Sequence, residues 1–342
     1  MPFDNSSHSL QANGWKSHIN GSGFPKVSND QALIKVVVPL LDCFILVMGL
    51  VGHILVITIL NGRKKRASQP PHGTDTLLLA LSAADLLLLL CLPFHTSAIT
   101  LGYWPFGSFL CKAISFMGVA CSTASVFTLA ALAVTRYLTV VHPAWAYRSR
   151  MHRWIKLTVV LLWVPASGLG APQFAIRTVA TSSAVYCFAF LSTFSQRVYS
   201  TALFFFGFAI PLGIIVLMYA KIYCFLRQAR LLVTHTSALL VVIFTLLWLP
   251  SYALMFWLIG GTVSGASGYN LYAIFARLLA SSATVVNPVL YAFMSQKFRG
   301  ELMELGRKRW AWCKSCHIDC PHFMNRDIVQ PFELASSDRS QN

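Results

Sequence analysis

The chain has 342 residues, of which 56% are hydrophobic and 11% are charged, and its formal net charge is +16 at pH 7. Soluble domains carry about 25% charged residues, so this composition excludes a soluble single-core protein and favours a membrane protein with several spans. Because the basic residues flank apolar segments, the positive charge indicates contact with an inner membrane leaflet and not nucleic-acid binding.

Residues 1–32 are polar and lack the apolar core of a signal peptide, so we expect none. This stretch contains two N-glycosylation sequons, at Asn5 and Asn20. We therefore expect a flexible, glycosylated extracellular tail.

Seven long apolar segments follow, and each could cross a bilayer as a helix. They lie at about 33–60, 75–99, 110–141, 154–173, 197–226, 231–259 and 270–294. The sequence thus predicts an all-α membrane protein whose domain at 33–295 is a bundle of seven transmembrane helices.

Lysine and arginine are concentrated after the odd-numbered spans one, three and seven. The basic residues there are Arg63, Lys64, Lys65, Arg66, Arg148, Arg150, Arg153, Lys156, Lys297, Arg299, Arg307, Lys308 and Arg309. The positive-inside rule then places the N-terminus outside the cell and the C-terminus in the cytoplasm of a multi-pass plasma-membrane protein.

Asp85 is a lone carboxylate among leucines in span two, and a charge there needs partners from other helices. Ser125 in span three and Thr284 and Asn287 in span seven lie at matching depths. Carboxylate, hydroxyl and amide oxygens are ligands for a hard cation, so these four residues are a candidate sodium site. The alternative is a protonated Asp85 hydrogen-bonded to the same groups.

Cysteines divide by side of the membrane. Cys111 begins span three and Cys187 lies in the outer loop after span four, so an oxidising compartment favours a disulfide between them. On the cytoplasmic side, we predict an amphipathic membrane-surface helix at residues 296–312 and a tail at residues 313–342. Cys313, Cys316 and Cys320 there are candidates for acylation, or for zinc binding with nearby histidines.

Prolines inside spans five, six and seven predict kinks that could act as pivots. They are Pro211, Pro250 and Pro288. Trp248 and Phe244 precede Pro250 on one face of span six, where they are either part of the switch or core residues. Arg136 ends span three, where it either has a function or reaches out to the headgroups.

In order along the chain stand Ala83-Ala84-Asp85, Trp104-Pro105-Phe106-Gly107, Arg136-Tyr137, Trp163, Pro211 with Tyr219, Trp248-Leu249-Pro250 and Asn287-Pro288-Val289-Leu290-Tyr291. This set resembles the rhodopsin-like (class A) G-protein-coupled receptors over about residues 33–312. The runs around Arg136 and Asn287 are most similar to galanin-receptor-like peptide receptors. The resemblance implies a cell-surface receptor, not an enzyme, whose partners are an extracellular peptide and a heterotrimeric G protein.

The resemblance also implies roles for individual residues. The ligand pocket would include Asp42, Gly118, Arg197, Trp248, Ser251, Tyr252, Met255, Arg277 and Ser281. Activation and G-protein coupling would use Thr135, Arg136, Tyr137, Tyr219, Phe244, Pro250, Asn287, Pro288 and Tyr291. Gly118 stands where amine receptors have an aspartate, and Ser281 where visual pigments have a lysine.

The resemblance brings Arg277 toward the ligand, with Asp42 of span one as its expected partner. Cations outnumber acids at this pocket mouth, and they are Lys112, Arg177, Arg197 and Arg277. A ligand with a carboxylate is therefore favoured over a cationic one. A small acidic or lipid ligand is the alternative to a peptide. Ser251 and Tyr252 replace two histidines of the galanin-receptor pattern, so the resemblance does not identify galanin as the ligand.

The chain departs from the family pattern at three places. Thr135 replaces the acid before Arg136, His53 replaces the span-one asparagine, and the third cytoplasmic loop around Arg227–Arg230 is very short. The missing acid predicts elevated basal signalling, whereas the short loop supports a non-signalling decoy. A transporter would show internal repeats, and we find none in the sequence.

Overall fold

The computed structural model describes residues 29–66, 73–144, 151–181, 185–189, 193–228, 236–259, 266–294 and 296–315. Some side chains within these ranges, including those of Phe244 and Tyr291, lie outside the description. The helices and strands named below all lie within these ranges.

Helices account for nearly all of the described residues. They are α1 (Asn29–Arg66), α2 (Gly73–Leu101), α3 (Gly107–Val141), α4 (Met151–Ile176), α5 (Thr193–Phe204, then a π-helical Phe205–Ala209, then Ile210–Gln228), α6 (Thr236–Ile259), α7 (Ala266–Met294) and α8 (Gln296–Ser315). Helices α1 to α5 and α7 include the whole of their predicted spans, and α6 includes 236–259 of the predicted span 231–259, whose first residues lie outside the described ranges.

Five of these helices are long and apolar enough to cross a membrane when only the described residues are considered. The apolar spans are Ile34–Arg63, Thr74–Leu101, Gly107–Val141, Leu157–Ile176 and Phe194–Gln228. Many large apolar side chains on them are exposed, such as Phe44, Val160 and Leu217. Exposed apolar side chains are expected on surfaces that face lipid.

Helix α3 is the centre of the bundle, because it packs against α2, α4, α5 and the first strand. Its contact with α2 and α4 is made by small side chains, since Ala84, Ala124 and Ala166 form one fully buried cluster. Small residues let helix backbones approach closely, and such contacts drive helix association inside a bilayer.

Helix α5 changes its winding just before Pro211. The π-helical segment Phe205–Ala209 inserts there, and a wider turn accommodates a proline that has no N–H to donate to the preceding turn. Pro250 and Pro288 lie inside α6 and α7. Four further prolines lie inside helices and had no predicted role, namely Pro39, Pro93, Pro165 and Pro172.

A short hairpin follows α4 and departs from the predicted all-α fold. Strands β1 (Arg177–Thr181) and β2 (Val185–Ala189) are antiparallel, and Val179 pairs with Cys187. Cys187 forms a disulfide with Cys111 at the start of α3, so the predicted bridge is present. The hairpin is thereby attached to the end of the central helix.

The chain divides into two compact units, residues 1–288 and 289–342. The second unit contains the last residues of α7 and helix α8. The predicted boundaries of α8, 296–312, agree with the observed helix to within three residues.

Candidate functional site

The carboxylate of Asp85 lies at the centre of a buried polar cluster. Its side chain is almost fully buried, as 1% of Asp85 is exposed. Ser125 of α3 donates its hydroxyl to Oδ1 at 2.7 Å, and Asn287 of α7 donates Nδ2 to Oδ2 at 2.7 Å. The cluster therefore connects α2, α3 and α7 through one acid.

His53 brings α1 into the same cluster. The imidazole is fully buried, and its Nε2 lies 2.9 Å from the backbone oxygen of Thr284 and 3.5 Å from Oδ2 of Asp85. A carbonyl oxygen only accepts, so Nε2 carries a proton and donates it. His53 thus provides the α1 contact that an asparagine was expected to make.

The donors around Asp85 limit how it could hold a cation. Asp85 and Ser125 supply carboxylate and hydroxyl oxygens, which suit a hard cation. Nδ2 of Asn287 donates to Oδ2, so this amide nitrogen is not a ligand, and Nε2 of His53 donates to the backbone oxygen of Thr284. Thr284 donates its hydroxyl proton to Ser281 of its own helix at 2.8 Å. Oxygens of the kind that sodium prefers are therefore present beside each other in Asp85 and Ser125.

A second polar cluster lies at the end of the bundle that carries the disulfide. Arg277 of α7 donates Nη2 to Oδ2 of Asp42 at 2.6 Å, and Thr96 of α2 donates its hydroxyl to the same oxygen at 2.5 Å. Asp42 is 3% exposed, so the ion pair is shielded from solvent. These contacts connect α1, α2 and α7 about three helical turns from the Asp85 cluster.

The side chain of Arg177 is held where α4 passes into the hairpin. Its Nε donates to Gln173 at 2.9 Å, Gln173 donates to the hydroxyl of Tyr199 at 3.1 Å, and Tyr199 donates to the backbone oxygen of Leu169 at 2.8 Å. Burial lowers the pKa of the Arg177 guanidinium from its ordinary value. The hydrogen-bond chain orients this cation without neutralising it.

Aromatic side chains connect α5 with α6. Tyr252 stacks on Phe208 with ring centroids 4.7 Å apart, and Phe204 meets Tyr252 edge-on at 5.8 Å. Trp248 packs against this group together with Val126 of α3. The contact joins the predicted pocket residue Trp248 to the π-helical part of α5.

Helix α6 is hydrogen-bonded to α7 next to Pro250. Tyr272 donates its hydroxyl to the backbone oxygen of Pro250 at 3.1 Å, and Ser251 donates its hydroxyl to the backbone oxygen of Ala276 at 3.1 Å. These two hydrogen bonds attach α6 to α7 at the proline and at the residue after it.

The remaining predicted pocket residues are less tightly packed than these. A Cβ built on Gly118 meets no atom within 4 Å among the described residues, so α3 has open space beside it. Met255 and Ser281 are partly buried. Arg197 is exposed, unlike the two arginines at 177 and 277.

The Arg136 end of α3 shows how the missing acid is replaced. Thr135 is buried and donates its hydroxyl to the backbone oxygen of Ala131 at 2.8 Å. Tyr219 of α5 is within electrostatic range of the charge of Arg136, and Nζ of Lys221 lies 5.6 Å from the centre of the Tyr137 ring. Within the described residues no carboxylate lies within 4.0 Å of Arg136.

Pro288 sets the distance between α1 and α7. A Cβ built on Gly52 would lie 3.0 Å from Cβ and Cγ of Pro288, so only glycine fits there without a shift. Gly52 precedes His53, which explains how the backbone of α1 comes close enough for the imidazole to reach Thr284.

Several predicted site residues lie outside the described residues. They are the side chains of Phe244, Tyr291 and Cys313, and the whole of Asn5, Asn20, Cys316 and Cys320. Sequence reasoning in turn missed Thr96, Gln173, Tyr199 and His95. Gln173 and Arg177 are four residues apart at a helix end, a spacing that predicts contact.

Comparisons with known proteins agree with this geometry. Residues 52–291 match the family described as "7 transmembrane receptor (rhodopsin family)". The chain is 30% identical to galanin receptor type 1 of Homo sapiens, over 80% of each chain. It is 29% identical to the same receptor of Rattus norvegicus, over 81% of this chain and 82% of the relative. With galanin receptor type 3 of Mus musculus the identity is 31%, over 79% and 78%.

Proposed function

The chain belongs to the rhodopsin family of seven-transmembrane receptors, and from this premise we propose that it is a plasma-membrane receptor that transmits the binding of an extracellular peptide to a heterotrimeric G protein. The relatives are named as receptors for galanin, which is the support for a peptide ligand. They are receptors and not enzymes, and this chain is likewise not an enzyme.

The proposal places the disulfide end of the bundle outside the cell. A bridge between Cys111 and Cys187 forms in an oxidising compartment. The basic residues that end α1, including Arg63, are at the opposite end of the chain's spans, as positively charged cytoplasmic loops would be. Ligand and G protein would therefore bind at opposite ends, with Arg136 on the cytoplasmic side.

The observation that carries the proposal is the polar cluster around Asp85. One carboxylate accepts hydrogen bonds from Ser125 of α3 and Asn287 of α7 and lies next to His53 of α1. Buried polar contacts between helices have discrete arrangements, so the cluster can couple helix positions at the two ends of the bundle. Ligand binding would shift the population toward a state with α6 moved outward.

Helix α6 is suited to such a movement. It contains Pro250, and a few polar contacts hold it to α7 next to the proline, from Tyr272 and Ser251. A ligand that contacts Tyr252 or Trp248 would act on this kink directly. Breaking two neutral hydrogen bonds costs about 1–3 kcal/mol, which a ligand's differential affinity can supply.

We include three finer elements in the proposal. Sodium would be held by Asp85 and Ser125, whose oxygens suit it, and would stabilise the resting state. Helix α8 would lie on the membrane surface, with acylation at Cys313, Cys316 or Cys320. Basal signalling would be elevated, because Thr135 bonds to its own helix and leaves Arg136 without a neighbouring acid.

The test is to express the chain with sensors for each G-protein class and to apply a peptide library that includes galanin. We expect at least one peptide to activate one class, and the Arg136→Gln variant at equal surface expression to lose the response. A peptide that binds at the cell surface without activating any G protein would instead favour the decoy that the short third loop suggests.

A further inference from the structure

Carboxylates are scarce in the bundle. Between residues 31 and 300 the sequence has three, Asp42, Asp75 and Asp85. Asp75 pairs with Arg63 at 3.2 Å, and Asp85 belongs to the cluster described above. At the disulfide end, Asp42 is therefore the single carboxylate that the spans and their loops can offer to a cation.

Arg277 uses one nitrogen to bind Asp42. The contact is made by Nη2 at 2.6 Å, and 22% of the Arg277 side chain is exposed. Its Nε and Nη1 are buried and have no hydrogen-bond acceptor among the described residues. Burying such a donor without an acceptor is costly, and the cost is larger for a charged group. The guanidinium thus keeps two donors, Nε and Nη1, that Asp42 does not use.

Arg177 is a second cation held in a defined position. Its Nε is bound to Gln173, whose amide is bound in turn to Tyr199, so two neutral side chains orient it. No carboxylate lies within 4.0 Å of Arg177 among the described residues. Because burial disfavours the charged form of this guanidinium, an anion beside it would stabilise that form.

The two arginines lie at the same end of α2. Thr96 of α2 binds Asp42, the partner of Arg277, and the hairpin that begins at Arg177 packs against α2, where Val179 joins the same cluster as Phe94. His95, next to Thr96, is within electrostatic range of both arginines and of Asp42. Two guanidinium charges and one carboxylate leave a net charge of +1, which a single anionic group would balance.

We infer that Arg277 and Arg177 bind one carboxylate of the ligand, and that Asp42 holds Arg277 in the orientation that this requires. The inference rests on the proposed receptor function and specifies the chemistry of its ligand. Guanidinium groups bind carboxylates with paired N–H donors. Arg277 has two donors that do not bind Asp42, and these would bind the carboxylate of the ligand. The carboxylate could come from a peptide C-terminus or from an acidic side chain.

The ordinary alternative is that Arg277 serves only to hold α1 against α7. In that case loss of either partner of the ion pair would have the same effect on ligand binding. Asn at position 42 still offers an oxygen to Nη2 of Arg277, so Asp42→Asn separates the two roles. Lys35, which is exposed near the start of α1 at the same end, provides a matched control for removing one positive charge.

The experiment uses the full-length receptor in nanodiscs and affinity selection with synthetic peptide libraries. One library has free C-terminal carboxylates, and its twin has C-terminal carboxamides. Each library is made in two versions, one with Asp and Glu and one with Asn and Gln in their place. We expect wild type and Lys35→Gln to retain carboxylate peptides at least tenfold over their amide twins. Arg277→Gln and Arg177→Gln should reduce binding of the retained peptides about ten- to a hundredfold and abolish the preference.

The outcomes separate this inference from the proposed function. If retention is lost only when the C-termini are amidated, the bound group is the terminal carboxylate. If retention is lost only when Asn and Gln replace the acids, the bound group is an acidic side chain. The preference should survive in Asp42→Asn, and its equal loss in Asp42→Asn and Arg277→Gln would overturn the inference. So would retention of no carboxylate peptide by wild type. Selective binding without G-protein activation would instead leave the inference standing and contradict the proposed signalling.

Discussion

Glycine at position 170 allows α4 to approach α3 more closely than any other residue would. A Cβ built on Gly170 would lie 3.1 Å from Cβ of Ala120, 3.1 Å from the backbone oxygen of Phe116 and 3.2 Å from the backbone nitrogen of Ala120. Two of these three atoms belong to the backbone of the central helix. They cannot rotate away, so Gly170→Ala must push α4 and α3 apart.

Gly168 provides a matched control, because it lies on the same helix two residues earlier and a Cβ there meets no atom within 4 Å among the described residues. Both substitutions gain the same helix propensity, about 0.5–1 kcal/mol. Gly168→Ala should therefore be neutral or slightly stabilising. Gly170→Ala carries an overpacking cost of about 1–3 kcal/mol in addition.

The difference between the two variants removes the shared propensity contribution and isolates the steric cost. We expect the apparent Tm of purified Gly170→Ala to lie about 2–10 °C below that of Gly168→Ala in the same detergent. Measurement by fluorescence-detected thermal unfolding at one heating rate is sufficient. Equal Tm values would refute the close contact of α3 with α4, and with it the placement of α3 at the centre of the bundle.

Three further predictions concern the disulfide, the buried acid and the resting state. Cys187→Ser should impair surface expression, since removing the bridge costs about 2–5 kcal/mol, whereas the exposed Cys224→Ser should not. Asp85→Asn should abolish the dependence of thermal stability on sodium, and no sodium dependence in wild type would contradict the cation site. Thr135→Asp should lower basal G-protein activation severalfold at matched expression, because a restored contact with Arg136 is worth about 1 kcal/mol; equal activity would show that the acid does not set the resting state.

The sequence was sufficient to place the spans because their length and apolarity are set by the bilayer. The central span was predicted at 110–141, and α3 runs from Gly107 to Val141. It could not predict the hairpin after α4. Strands as short as β1 and β2 are not stable alone, and here they are supported by the disulfide through Cys187.

The partners of the buried polar side chains could be predicted only in part. A lone acid in a bilayer needs partners, so Ser125 and Asn287 could be named as neighbours of Asp85 from depth alone. Which atom each partner offers depends on how the helices are rotated. The sequence therefore did not reveal that Thr284 uses its backbone oxygen to bind His53 while its hydroxyl turns to Ser281.

Long-range pairing was predictable where charges are few. Asp42 and Arg277 are 235 residues apart, yet Asp42 was the one acid available near the mouth of the predicted pocket. The chain that holds Arg177 was not predictable, because it consists of neutral groups whose partners are chosen by packing. Gln173 and Tyr199 carry no charge that would have indicated their role.

The most direct test of the proposed function is nucleotide exchange on purified heterotrimeric G proteins by the receptor reconstituted in nanodiscs without ligand. Because Arg136 has no carboxylate partner among the described residues, we predict exchange above that of empty nanodiscs for at least one G-protein class. Arg136→Gln should reduce this exchange to the level of empty nanodiscs. Exchange by wild type that equals the empty control for every class, with the protein folded and its disulfide intact, would contradict a G-protein-coupled receptor with elevated basal activity.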